Sequence, residues 1–178
     1  MMADVKRTAV NLGFYPMSAL MALSVLRIAG SWNWINGAFL GTDAKSSLAW
    51  LSGSGLVERI GGAGGFAAKA MYPWVGDFIT HDIATHPVFW AFFIFLAYAV
   101  PGISLCLGLF TRVGGLVAML AALMNLLAAG GNGADTIGQN ILLLLIGAIC
   151  MLTGAGRAYG IDGWLLSHCS ARWLRIVA

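Results

Sequence analysis

Charge is what this sequence has least of. Only 10% of its residues are charged, ten Lys and Arg against seven Asp and Glu. An ordinary soluble domain carries about 25%. A chain of 178 residues folds mainly into surface, and so few charges cannot cover it in water. This excludes a soluble globule, and the 60% hydrophobic content excludes disorder. Cysteine is scarce too. Cys106, Cys150 and Cys169 have no metal-ligand spacing, cannot all pair with one another, and are too few for the four thiolates of an iron–sulfur cluster. No haem-attachment motif is present, and no dinucleotide fingerprint of the kind that binds flavin or nicotinamide cofactors. The glycine run at 61–65 is not followed by Lys and Ser or Thr, so it is no phosphate loop. The net charge of +3 is small and scattered, which excludes a nucleic-acid surface.

What the chain has is length without charge. Apolar runs of about 20 residues cross membranes as helices. Residues 88–110 carry no charge, and residues 113–129 carry none and hold Asn125. Thr111 and Arg112 mark the break between them, which predicts a tight helical hairpin. A third run covers 137–154, after a glycine-rich turn. Residues 17–40 are long enough to span but contain Arg27, Asn33 and Asn36, so they read as a spanning helix with a polar face. Their length, Arg27 and the lack of a small-residue cleavage site argue against a signal peptide. The expected fold is therefore one all-α integral membrane domain over 1–178, a bundle of four transmembrane helices near 17–40, 88–110, 113–129 and 137–154. The segment 41–87 is too polar and glycine-rich to span, and is expected to form a long periplasmic loop with short interfacial helices. The tail at 161–175 interleaves Trp164, Leu165, Trp173 and Leu174 with Arg172 and Arg175, as an interfacial helix does.

Orientation follows the basic residues at helix ends. Lys6, Arg7, Arg112, Arg157, Arg172 and Arg175 share one side, whereas Lys45, Arg59 and Lys69 lie in the long loop. Both termini are expected in the cytoplasm of a bacterial or archaeal cell, with a multi-pass chain in its cytoplasmic (inner) membrane.

Arg27 is the sharpest candidate for chemistry. A charge in the middle of a spanning helix costs about 2.5 kcal/mol or more on insertion scales, and such residues are usually functional. All seven acids lie outside the apolar runs, so its partner must be an acid folded inward, a partner chain, neutral groups or a bound anion. At about 100° per residue, Ser24, Arg27, Ser31 and Trp34 share a face, a wall of donors beside an aromatic plate. The alternative is a brace through backbone carbonyls and Tyr98. Arg27 is expected to point towards the periplasmic half. Trp32, Asn33, Trp34 and Asn36 could hold a quinone head group by stacking and hydrogen bonds, or form an interfacial belt. Gln139, Asn140 and Asn125 could converge on them, or glue helices together. His81, Asp82 and His86 are candidates for a proton relay; the i, i+5 spacing of the histidines does not suit a helix-borne metal site, and no metal is expected. Gly114, Ala118 and Ala122, four apart, read as a packing stripe.

Three stretches resemble the DoxX/DoxD family of small membrane proteins. They are residues 24–39, residues 100–120 with Gly102, Gly108, Thr111 and Arg112, and residues 147–166 with Gly154, Gly156, Arg157, Gly160 and Asp162. With residues 124–130 the likeness is closest to DoxD. The resemblance implies a four-helix membrane bundle serving as a subunit of thiosulfate:quinone oxidoreductase, beside a small partner subunit, DoxA. That reaction joins two thiosulfates into tetrathionate and reduces quinone. One departure stands out: many DoxX proteins have an acid where this chain has Tyr98, which would leave Arg27 without that partner.

Three functions compete at this point. The first is a quinone-linked oxidoreductase subunit, with Arg27, Ser31, Trp34, Asn33, Asn36, Tyr98, Gln139 and Asn140 as candidate substrate or quinone ligands. The second is a non-catalytic subunit anchoring a larger respiratory or photosynthetic membrane complex. The third, a small transporter, is weakened by the shortage of intramembrane charges and helix breaks.

Overall fold

A computed structural model describes residues 17–62, 64–169 and 173–177. Lys6, Arg7 and Arg172, which enter the expected orientation, lie outside the described residues. The described residues are helical and contain no strand. Helix α1 is Met17–Ile35 and runs into one π turn, Asn36–Leu40. The expected loop holds three short helices, α2 (Leu48–Leu51), α3 (Ser54–Ile60) and α4 (Pro73–Phe78), the last continued by a π turn at Ile79–Ile83. The long helices α5 (Pro87–Leu107), α6 (Thr111–Ala129) and α7 (Ala134–Thr153) follow. The chain closes with α8 (Ile161–His168) and α9 (Leu174–Val177).

Among the described residues three helices are long and apolar enough to cross a membrane: α5, α7, and α6 with its one-turn extension, Thr111–Asn132. The chain is a membrane protein. Helix α1 is as long as α6 but is not among the three, because Arg27, Asn33 and its serines and tryptophans dilute its apolar character. Phenylalanines 89, 92 and 93 of α5 point outward, where lipid rather than water suits them.

The uncharged runs become helices because nothing in them competes for the backbone, and glycine ends two of them. Gly108 (φ 67°) stops α5 and Gly154 (φ 56°) stops α7, both in the left-handed region that glycine enters without strain. The α5–α6 turn is tighter than expected. Thr111 and Arg112 begin α6 rather than separating the two helices. The predicted small-residue stripe is buried: Gly114, Ala118 and Ala122 face the core. Helices α6 and α7 approach so closely that a Cβ on Gly115 would lie 2.6 Å from the Met151 nitrogen, and one on Gly147 would lie 2.8 Å from the Met119 nitrogen.

There are two apolar centres. One lies between the long helices, around Trp34, Leu105, Ala118, Ala122, Leu143, Ile146 and Cys150. The other lies under the loop helices, around Trp50, Leu56, Ile60, Val75, Ile79 and Ala91. The loop is therefore a packed cap. Trp50 Nε1 donates to the Ala91 carbonyl at 3.0 Å, Met71 N to Leu127 O at 2.8 Å, and Gly131 N to Lys69 O at 2.9 Å.

Candidate functional site

The buried face of α1 is the expected one. Ser24, Arg27, Ser31 and Trp34 are all buried along one side of α1, and Ala38 continues the stripe in the π turn. The structure divides this stripe between two polar centres at opposite ends of the bundle.

At the closing end, the last part of the chain folds back onto the α5–α6 turn. Asp162 is fully buried. Its carboxylate accepts from Phe110 N at 2.7 Å, Thr111 N at 2.9 Å and the Thr111 hydroxyl. It therefore caps the N-terminus of α6 from a distant part of the chain, satisfying donors that a helix start leaves unpaired. Asp162 N in turn donates to Gly108 O at 2.8 Å. Glycine makes the contact: a Cβ on Gly156 would lie 2.6 Å from Asp162 Oδ2 and would overlap the Thr111 hydroxyl. Burial, and then the charge of Arg112, bring Arg157 below the usual arginine range, while Asp162 opposes them.

Arg27 enters this closure. Its guanidinium is 1% exposed, and Nη2 donates to the Tyr159 carbonyl at 3.2 Å. Ser24 Oγ donates to Ala158 O at 3.1 Å beside it. Nη1 fits where Gly108 and Gly160 have no side chain; a Cβ on Gly160 would come within 2.5 Å of it, and one on Gly108 would overlap it. Nε and Nη1 have no acceptor among the described residues, and Arg27 forms no ion pair among them. The inward-folded acid at this end is Asp162, whose oxygens serve α6.

This corrects two expectations. Arg27 does not point towards the loop half but to the opposite end, because helix side chains lean towards their own N-terminus. Nor does it meet Tyr98. Ser31 also leaves the expected donor wall, since its hydroxyl donates to Ile28 O at 2.7 Å within α1.

At the loop end, Trp34 packs edge-on to Tyr98, with ring centres 5.1 Å apart. Asn125 Nδ2 donates to the Tyr98 hydroxyl at 2.7 Å. Tyr98 lies so close to α1 that a Cβ on Gly37 would sit 2.7 Å from its ring. The ammonium of Lys45 stands over the Tyr98 ring at 4.0 Å and over the Trp50 ring at 5.1 Å. In the sequence Lys45 stands out only as a loop charge. Nothing in its neighbours along the chain signals that two aromatic faces from other elements enclose it. Next to it, Arg59 pairs with Asp43 on the rim of an open basin of about 440 Å³ walled by Trp50, Ser47, Glu58 and Phe66.

The other candidates spread out. Gln139 Nε2 donates to Asn33 Oδ1 at 3.2 Å, joining α7 to α1 at the loop end. Asn140 instead donates to Thr136 O in its own helix, and Asn36 is exposed. His81, Asp82 and His86 are exposed. His81 Nδ1 pairs with Asp77 O and His86 Nδ1 with the Thr85 hydroxyl, each at 2.9 Å, and no hydrogen bond among the described residues joins the three side chains. Among the described residues no group of three His, Cys, Asp or Glu is placed to hold a metal ion.

Apolar helices, a glycine-lined closure holding a buried Arg and Asp, and an aromatic polar cluster under a packed cap define a small helical membrane protein built around two internal polar centres. The chain belongs to the DoxD family: the family described as TQO small subunit DoxD matches residues 23–177. The match takes in both centres and the whole loop. The family is that of a small subunit, so its members work within a larger complex. No curated protein and no solved structure matches the chain.

Proposed function

We propose that this chain is the membrane subunit of a thiosulfate:quinone oxidoreductase, working with a DoxA-like partner. The observation that carries the reading is the DoxD match over residues 23–177. In this reaction two thiosulfates join through a new sulfur–sulfur bond and release two electrons, which with two protons convert quinone to quinol. The loop end offers what a quinone head group needs. The Tyr98 hydroxyl accepts from Asn125 and keeps its own proton to donate to a carbonyl. Trp34 supplies an aromatic edge, and the Asn33–Gln139 pair fixes the neighbouring helix ends. Lipid-exposed apolar faces of α5 and α6 give a lipid-soluble ring its approach.

In this reading α1 is the fourth crossing, shielded by its packing on α5 and by the burial of Arg27. Both termini face the cytoplasm, and the cap formed by α2–α4 faces the periplasm, where thiosulfate arrives.

The test is reconstitution. Membranes carrying this chain and a DoxA-like partner are expected to reduce a short-chain quinone analogue when thiosulfate is added, with tetrathionate formed one for one with quinol. If the purified complex does so at an unchanged rate when Tyr98 is replaced by Phe and Trp34 by Leu, the chain is an accessory anchor. If no combination of the two chains reduces quinone with thiosulfate, the reading is wrong.

A further inference from the structure

Lys45 poses a physical problem that the fold does not solve by itself. Its ammonium is half-buried between Tyr98 of α5 and Trp50 of α2. It carries three N–H donors, yet no hydrogen bond or ion pair to it exists among the described residues. The other cation beside it, Arg59, is already matched by Asp43. Two aromatic faces hold a cation, but they accept none of its protons in a directed bond. A methionine would fill the same space with no charge to desolvate. A cation kept in such a place, with donors to spare, is a receptor for an anion.

The surroundings narrow the class of anion. Trp50, whose ring flanks Lys45, also walls the open basin between α2, α3 and the following loop. Two acids line the basin, Asp43 and Glu58, and Arg59 neutralises Asp43. On the inner side, Lys45 lies on the same Tyr98 that Asn125 and Trp34 contact. A ligand held by Lys45 therefore lies against the cluster proposed for the quinone ring.

We infer that the Lys45 ammonium is the docking point for the sulfur oxyanion that the protein oxidises, held by its sulfonate oxygens so that its outer sulfur meets the Tyr98 cluster. The inference rests on the oxidoreductase reading and adds the place where the reductant binds. Its chemistry balances there. Two oxyanions each give one electron as their outer sulfurs bond, and the quinone beside Tyr98 takes both electrons with two protons. Gly37 lets the Tyr98 ring pack close beside Lys45, since a Cβ there would lie 2.7 Å from the ring and 3.8 Å from Lys45 Nζ.

The experiment compares thiosulfate binding to the purified chain in mild detergent, by calorimetry, for the wild type, Lys45→Met and Lys45→Arg. Size-exclusion profiles confirm that each variant is assembled. Lys45→Met is expected to weaken binding by about tenfold or more, the loss expected for a charge-assisted hydrogen bond, and Lys45→Arg to retain most of it. In the reconstituted complex Lys45→Met should raise KM for thiosulfate and leave KM for quinone unchanged. Thiosulfate binding to Lys45→Met at wild-type strength overturns the inference. So does saturation of the site by phosphatidylglycerol with no response to thiosulfate, which would make Lys45 a lipid-phosphate anchor. Lysine-dependent thiosulfate binding without any quinone reduction by the wild-type complex would leave the anion site standing and overturn the oxidoreductase reading instead.

Discussion

The Lys45 ammonium lies 4.0 Å from the centre of the Tyr98 ring, a residue of the loop seated on a residue of a long apolar helix. Burial, with a smaller push from Arg59, brings Lys45 down from 10.5 to about 8, against the pull of Asp43. The charged groups around it are Asp43 and Arg59, and Tyr98 is the remaining titratable neighbour. Below about pH 8 the lysine is an ammonium in the folded chain. Between about 8 and 10.5 the unfolded chain binds the extra proton, so stability rises with pH in that window. Anion binding runs the other way, because it needs the proton. Thiosulfate affinity should be flat below pH 7 and fall as pH rises through 8, with Lys45→Arg removing the dependence. Titration calorimetry from pH 6 to 9.5 checks this; an equal slope in both proteins would refute it.

Tyr98→Phe keeps the ring under Lys45 and removes the hydroxyl that Asn125 contacts. The expected result is a KM for quinone raised by about tenfold, as loss of one hydrogen bond at a desolvated site gives, with thiosulfate binding unchanged. Steady-state kinetics with each substrate varied separately decides the matter. A change confined to thiosulfate would assign the hydroxyl to the other reactant.

Asp162→Ala should be the most damaging single change at the closing end. It strips the acceptor from two backbone N–H groups and the Thr111 hydroxyl, all at the start of α6. Buried donors left unpaired cost about 1–3 kcal/mol each, so a loss of about 3 kcal/mol or more is expected. Thermal unfolding in detergent measures it, and a fall of under about 0.5 kcal/mol would show that water replaces the cap.

Gly108 and Arg27 should be energetically coupled. Gly108→Ala places a methyl onto Arg27 Nη1 in a left-handed backbone conformation. Arg27→Met removes the overlap with the guanidinium and leaves the backbone strain, about 1 kcal/mol, together with the 2.8 Å approach to the Gly160 Cα. A double-mutant cycle is expected to give a coupling of about 1–2 kcal/mol in the rescuing direction. Additive effects would mean that Arg27 moves aside freely.

Orientation has a direct assay. An impermeant thiol reagent added to intact cells should label Ser47→Cys, which is exposed in the cap, and spare the native Cys169, which is exposed at the end of α8. The opposite pattern would invert the chain in the membrane.

Much of the frame was legible because lipid imposes a one-dimensional rule. Long apolar runs become helices, and 17–40, 88–110, 113–129 and 137–154 return as α1 with its π turn, α5, α6 and α7. The buried stripe from Ser24 to Trp34 followed from helical spacing alone. The partners did not. Arg27 bonds a carbonyl 132 positions away, and the direction of its side chain depends on how the closing segment returns. Asp162 looks like an acid in a polar tail, and nothing local indicates that it caps another helix. Lys45 was counted as a loop charge because a cation cage is built from rings in separate elements. Thr111 and Arg112, taken as a break, start a helix because that remote carboxylate supplies the cap.

The same cap sets an order of assembly. The α6 residue that needs Asp162 precedes it by 51 positions. A ribosome feeding this chain into a membrane therefore delivers α6, and then the whole of α7, before the acceptor for α6's first amides exists. Until the closing segment docks, those amides lack this acceptor, and water is the group left to satisfy them. Gly156, on that same segment, leaves the room in which the Asp162 carboxylate meets the Thr111 hydroxyl, so the cap of α6 is completed only when the closing segment docks.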